Sequence, residues 1–152
     1  MQKYIKTVID EENLPINPFV SFLSIAVNEV KQGLKHNGED NKVLFEEKGY
    51  CKLFTDPKIR QHLSRLTGNA WQMLGWIMSE VKPSKDYLWV NKVRYMEEHK
   101  IKSIKTVNKA LYELDNQRVI DAIAGMKDVY FINPAIFFNG SRINKYPDNI
   151  EQ

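Results

Sequence analysis

Along the chain, stretches in which apolar residues recur every three or four positions alternate with short runs rich in β-branched and aromatic residues. The second half shows this most sharply. From Asn69, the residues Ala70, Trp71, Leu74, Ile77, Met78 and Val81 fall on one helical stripe that Lys82-Pro83 closes. This predicts a core helix with Trp71 on the buried stripe and Trp76 more open. Asp86 to Val90 predicts a small strand, and Asn91 is placed to cap a helix to about His99. In that helix Val93 and Met96 face inward, and Lys92, Arg94 and Lys100 face out. Lys102 ends the turn, and Ser103 is a natural cap for a helix whose Ile104, Val107, Ala110, Leu111 and Leu114 form a core-facing stripe. Val119 to Ala124 and Val129 to Ile132 then predict two strands joined across Gly125-Met126-Lys127-Asp128.

The first half is less periodic. Lys3 to Asp10 reads as a short strand, and Asn17-Pro18 as a helix start. The stripe Phe19, Phe22, Leu23, Ala26, Val27, Val30 and Leu34 predicts a helix up to Gly33 or His36, although Phe19 to Val27 also fits a buried strand. His36 to Lys42 is a polar connection. Lys42 to Phe45 and Tyr50 to Phe54 predict a hairpin around Glu46-Glu47-Lys48-Gly49. Asp56-Pro57 opens a short helix with Ile59, Leu63 and Leu66 on one face, ending near Thr67-Gly68.

Together these elements predict an α+β chain: a winged helix-turn-helix domain with a three-stranded wing sheet, preceded by an N-terminal helical and β-hairpin extension. Residues 1–41 form an appendage and candidate dimerisation segment, 42–146 the domain, and 147–152 a tail.

Composition changes this picture little and charge changes it more. The 152 residues are 43% hydrophobic, enough for one sizeable core, and the formal charge is only +3. Yet Lys82, Lys85, Lys92, Arg94, Lys100, Lys102, Lys105 and Lys109 crowd into one stretch with only Asp86, Glu97 and Glu98 to oppose them. Clustering of this kind, unlike a modest net charge, points to a polyanion. Cys51 is alone, which fits a reduced cytoplasmic setting without a disulfide or a cysteine-based zinc cluster. Met1 to Asp10 lacks an apolar signal core, and no run approaches the roughly 18 apolar residues of a membrane span.

The polar face opposite the last helical stripe carries Ser103, Lys105, Thr106, Asn108, Lys109 and Tyr112, side chains able to reach a phosphate or a base edge. In helix-turn-helix proteins the second helix enters the major groove with its N-terminal part, while flanking cations hold phosphates. That assigns Lys92, Arg94, Lys100 and Lys102 to phosphates, with Lys127 a modest contact from the wing. A plain solvated helix surface would contain the same residue types. Glu113 and Asp115 turn the charge negative and set the far limit of the contact surface.

The run Tyr130-Phe131-Ile132-Asn133-Pro134-Ala135-Ile136-Phe137-Phe138-Asn139-Gly140-Ser141-Arg142 resembles the end of the winged-helix domain in RepL-type plasmid replication initiation proteins, and similar domains occur in phage replication proteins. The resemblance spans about Leu53 to Tyr146. It implies a non-enzymatic, sequence-specific binder of double-stranded DNA that initiates plasmid or phage replication and recruits host replication proteins. In plain physical terms Asn133 caps, Pro134 begins and Gly140 ends one helical turn whose Ile136, Phe137 and Phe138 pack back on the domain. Arg142 and Lys145 add phosphate contacts.

Enzymatic chemistry finds little footing. His36, His62 and His99 stand apart without metal-ligand spacing, and no phosphate-binding glycine-lysine loop or nucleophile elbow occurs. The expectation is therefore no metal, no cofactor and no membrane, with double-stranded DNA as partner and a homodimer as a candidate assembly. A winged-helix transcriptional regulator uses the same residues. A protein-interaction or structural module is the alternative of another class.

Overall fold

A computed structural model of the chain describes residues 8–25, 51–54 and 56–150. The hairpin arm at 42–45 with its turn, the connection at 36–42, and most of the strand expected at 3–10 lie outside the described residues, as does the helical stripe beyond Ile25. Among the described residues the fold is α+β, with five α-helices and small antiparallel sheets.

Helix α1 (Pro57–Ser64) starts where Asp56 Oδ1 accepts the Ile59 N–H at 3.0 Å, and it buries Ile59 and Leu63. Helix α2 (Gly68–Glu80) is capped by Thr67 and buries Ala70, Met73, Leu74, Trp76 and Ile77. Glu113 reinforces that cap from a distant element, its carboxylate accepting the Thr67 backbone N–H at 2.7 Å. Strand β1 (Lys52–Leu53) precedes α1, and strand β2 (Tyr87–Trp89) follows α2. Helix α3 (Lys92–His99) is capped by Asn91, whose Oδ1 takes the Arg94 N–H at 3.0 Å. It stops at Lys100, which adopts φ 54°, and the Ile101 N–H returns to the Met96 carbonyl. Helix α4 (Ile104–Asn116) lies against α2 and buries Val107, Ala110, Leu111 and Leu114 in the main core.

Strands β3 (Ile120–Ala122) and β4 (Val129–Ile132) pair antiparallel, and β2 pairs with the other edge of β4, giving the order β2-β4-β3. The register sets Leu88 opposite Tyr130 and Ile120 opposite Ile132. Alternation along the strands sends Leu88, Tyr130 and Ile132 toward the helices, and Tyr87, Trp89, Val129 and Phe131 to the other face.

That second face is covered by the N-terminal segment. Phe19 joins Ile123, Val129 and Phe131 in a small second core, with Ile9 and Leu14 beside it. Asn17 is buried yet fully engaged, donating to Asp86 Oδ2 (3.1 Å) and the Ile132 carbonyl (3.0 Å) and accepting from the Phe19 N–H. The described part of the expected appendage is thus a layer of the same body. The tail joins it too: Asn149 donates to the Val20 and Leu23 carbonyls, and Ile25 bridges Ile150.

Asn17 caps and Pro18 begins a helix as expected, but it is a 3-10 turn over Pro18–Phe22 that ends in extended backbone at Leu23. Over its described part the segment is neither a regular α-helix nor a regular strand, because its apolar residues divide: Phe19 packs on the outer sheet face, Leu23 and Ile25 enter the main core, and Phe22 is exposed. Val8 to Asp10 are likewise not in a strand, and Glu11–Asn13 form another 3-10 turn.

The Asn133 to Gly140 segment also differs from the expected helical turn. Asn133 does cap a hydrogen-bonded turn, its Oδ1 accepting the Ala135 N–H. Phe137–Phe138 then form strand β5, paired with β1 so that Lys52 faces Phe138 and Leu53 faces Phe137. The sequence pattern predicts a strand over Tyr50 to Phe54, but as a hairpin arm with 42–45; its partner here, Phe137–Phe138, lies 84 residues beyond Leu53, so local pattern could not supply the pairing. Ile136, Phe137 and Phe138 are buried, as expected. Gly140 holds φ +111°, where a Cβ would sit 3.3 Å from Ser84 Oγ, so glycine is needed there. A last short helix, α5 (Arg142–Lys145), leads to Tyr146, whose hydroxyl donates to Asp86.

Candidate nucleic-acid interface

The stripe that anchors α4 also builds its exposed face. With Val107, Ala110, Leu111 and Leu114 buried, the helical period turns Lys105, Asn108, Lys109 and Tyr112 to solvent, and Tyr112 is 73% exposed. Thr106 is half-buried at the edge of this face. Ser103 occupies the cap position, but its side chain accepts no backbone N–H; the first turn is closed by the Thr106 N–H on the Ser103 carbonyl, which leaves the hydroxyl exposed.

Ile104 departs from the expected stripe. It is 44% exposed, although as the first residue of α4 it aligns with Val107 and Leu111. It lines a shallow cavity of about 520 Å³ with Val93, Met96, Glu97, Ile101 and Lys102. Like Trp71, it is a surface residue that periodicity misassigned, and its place directly after the cap was the available signal.

Helix α3 is fixed by an aromatic cluster. Its buried residue is Tyr95, while Val93 and Met96 are half-buried. Tyr95 meets Trp76 edge-on with centroids 5.3 Å apart, and its other side meets the His99 ring at 4.3 Å. The two tryptophans of α2 therefore exchange roles: Trp76 is 7% exposed and Trp71 40%. Trp76 lies on the side that α3 covers, whereas Trp71 is one step of 100° beyond Ala70 and off the buried line. The Trp76 indole N–H donates to Glu98 Oε2 at 2.8 Å. That bond, with the Arg94 guanidinium beside it, holds the Glu98 carboxyl below the usual range.

The charge cluster separates into paired and unpaired members. Lys92 Nζ lies 2.8 Å from Asp128 Oδ1, tying the start of α3 to the β3–β4 turn. Arg94 is clasped by Glu80 at 2.9 Å and by Glu98 at 3.0 Å. Lys85 pairs with Glu11 at 3.0 Å. Lys92 and Arg94, expected to stay out for phosphate, are thus neutralised within the chain, because carboxylates of α2, α3 and the turn lie beside them. Lys100, Lys102, Lys105 and Lys109 are exposed and form no ion pair among the described residues.

The outlying candidates differ as well. Lys127 is exposed in the β3–β4 turn. Arg142 stacks 3.4 Å above the Phe54 ring and donates to the Pro134 carbonyl, so its side chain holds the β1–β5 region together. Glu113 and Asp115, expected only as a negative limit, are both engaged: Glu113 on Thr67, Asp115 on the Ala122 N–H at 3.1 Å. Between α4 and the sheet lies a notch of about 430 Å³ lined by Asn108, Tyr112, Asp115 and Tyr130 among others. Burial first, then Asp128 and Asp115, pushes the Tyr130 phenol up to about 12. Comparison with protein-family models, curated proteins and solved structures finds no match to this chain. No helix among the described residues is long and apolar enough to cross a membrane.

Proposed function

We propose that this chain is a winged helix-turn-helix protein that binds double-stranded DNA sequence-specifically through α4. What supports the reading most is the run of cations without carboxylate partners among the described residues, Lys100, Lys102, Lys105 and Lys109, along the α3–α4 turn and the exposed face of α4. The element order helix, strand, helix, helix, strand, strand, with the last strand central in the sheet, agrees with it. In this reading α4 lies in the major groove. Asn108 pairs with adenine, Lys105 and Lys109 with guanine or phosphate, and Tyr112 closes the surface. Ser103, Thr106, Lys100 and Lys102 hold phosphates, and Lys127 reaches a flanking one from the wing. The biological role is initiation of plasmid or phage replication, for which the resemblance of the Tyr130 to Arg142 segment is the support; recruitment of host replication proteins follows from the same resemblance. A transcriptional regulator would use the same face.

A salt series on a duplex, read by fluorescence anisotropy, tests the binding. Neutralisation of phosphates by the three lysines assigned to them, Lys100, Lys102 and Lys127, predicts a log–log slope of about −2.7, or about 40-fold weaker binding between 50 and 200 mM salt. Lys102→Ala weakens all duplexes alike and lowers the slope by about 1, whereas Asn108→Ala relaxes sequence preference. Salt-insensitive binding, or none, overturns the proposal. The exposed apolar residues Val8, Ile16 and Phe22 favour a protein-interaction module in that event.

A further inference from the structure

We infer that Ile104 reads thymine, packing against the C5 methyl group of a base at the leading end of α4; this rests on the DNA-binding reading above. Ile104, the first residue of the thirteen-residue α4, is a large apolar side chain left 44% exposed. Val93, Met96 and Ile101 line the same shallow cavity, which makes the α3–α4 corner an apolar notch. Lys102 lines it, and Lys100 and Lys105 directly adjoin the lining residues Ile101 and Ile104 in the chain; all three are exposed and without ion-pair partners among the described residues, and Glu97 is the single acidic side chain in the lining. An apolar notch flanked by cations suits a polyanion that also carries a methyl group. In the major groove of duplex DNA only thymine presents one, distinguishing it from cytosine and from the purines. The first residues of a recognition helix are the ones nearest the base edges.

The full chain is first used to select its site from a random duplex pool, and the chosen duplex is then remade with deoxyuridine for thymine, which removes only the methyl. For the wild type, the replacement at one thymine weakens binding about fourfold, the weight of one buried methyl-sized group. Ile104→Ala weakens binding to the thymine duplex by a similar factor and no longer senses the replacement, while its unfolding midpoint shows the fold intact. Ile104→Val retains part of the discrimination. If a site is selected but the methyl makes less than a twofold difference, or if Ile104→Ala still senses it, the inference fails and the DNA-binding reading stands. If no duplex is enriched, both fail. A wild type that self-associates where Ile104→Ala is monomeric would assign the notch to a second copy of the chain and overturn the thymine reading.

Discussion

Replacing the two tryptophans of α2 separately tests how the helix pair is anchored. Trp76 is 7% exposed, meets the Tyr95 ring edge-on and donates its indole N–H to Glu98; Trp71 is 40% exposed with no ring contact among the described residues. Truncating a buried aromatic to alanine costs about 3–5 kcal/mol through lost transfer energy and the cavity left behind. Truncating a partly exposed one outside the core costs about 1 kcal/mol or less. For a chain of this length each kcal/mol moves the midpoint about 2–4 °C, so Trp76→Ala lowers it by about 6–20 °C and Trp71→Ala by at most a few degrees. Trp76→Phe falls between, because it keeps the ring contact and loses the bond to Glu98. Thermal unfolding by far-UV circular dichroism gives the midpoints, and iodide quenching of each single-tryptophan variant reports exposure independently. Equal losses at the two positions, or easier quenching of Trp76, would refute the packing of α3 against α2.

Lys92→Ala and Asp128→Asn each destabilise by about 1–2 kcal/mol, and their double-mutant cycle in urea shows a coupling of about 1 kcal/mol; asparagine is chosen because Asp128 sits at φ 59°, which Asn tolerates. Tyr130 has a folded-state pKa of about 12, above the ordinary 10, so its contribution is complete below pH 10 and is lost as pH rises from about 10 to 12. Tyr130→Phe should therefore reduce the fall in unfolding free energy between pH 9 and 11, measured by urea titration, by about 1 kcal/mol once screening of this part-exposed ring is counted. Burial pushes the Cys51 thiol up to about 11, so at pH 8 it reacts with a disulfide reagent at least tenfold more slowly in the native chain than in urea.

Much of the second half was legible in the sequence because its signals are local. Asn91 and Asp56 cap where expected, and Val107, Ala110, Leu111 and Leu114 are buried as their spacing predicts. Residues whose placement depends on a distant element were not legible. Phe137 and Phe138 are strand residues because Lys52 and Leu53 lie alongside, and Phe19 is core because the sheet offers it a face. Trp71 and Trp76 illustrate the same limit inside one helix. Apolar residues occur all round α2, so the stripe alone cannot choose a face; the arrival of Tyr95 does.

The charge cluster shows how far pairing, rather than count, decides a candidate interface. In sequence nothing distinguishes which of the eight cations between Lys82 and Lys109 are paired. In the fold, Lys85, Lys92 and Arg94 each meet a carboxylate at 3.0 Å or less. A phosphate approaching Lys92 or Arg94 would have to compete with Asp128, or with Glu80 and Glu98, and would meet their repulsion. Among the described residues the cations of the turn and of α4 carry no such cost. On the proposed DNA-binding reading, the contact surface is therefore the α3–α4 corner and the outer face of α4, ahead of the body of α3. Reversing the pairing should move the preference. Glu80→Gln with Glu98→Gln would release Arg94 and steepen the salt dependence of duplex binding, if α3 lies close to the phosphate backbone. An unchanged slope would place α3 away from the DNA and leave α4 and its turn to carry the contact.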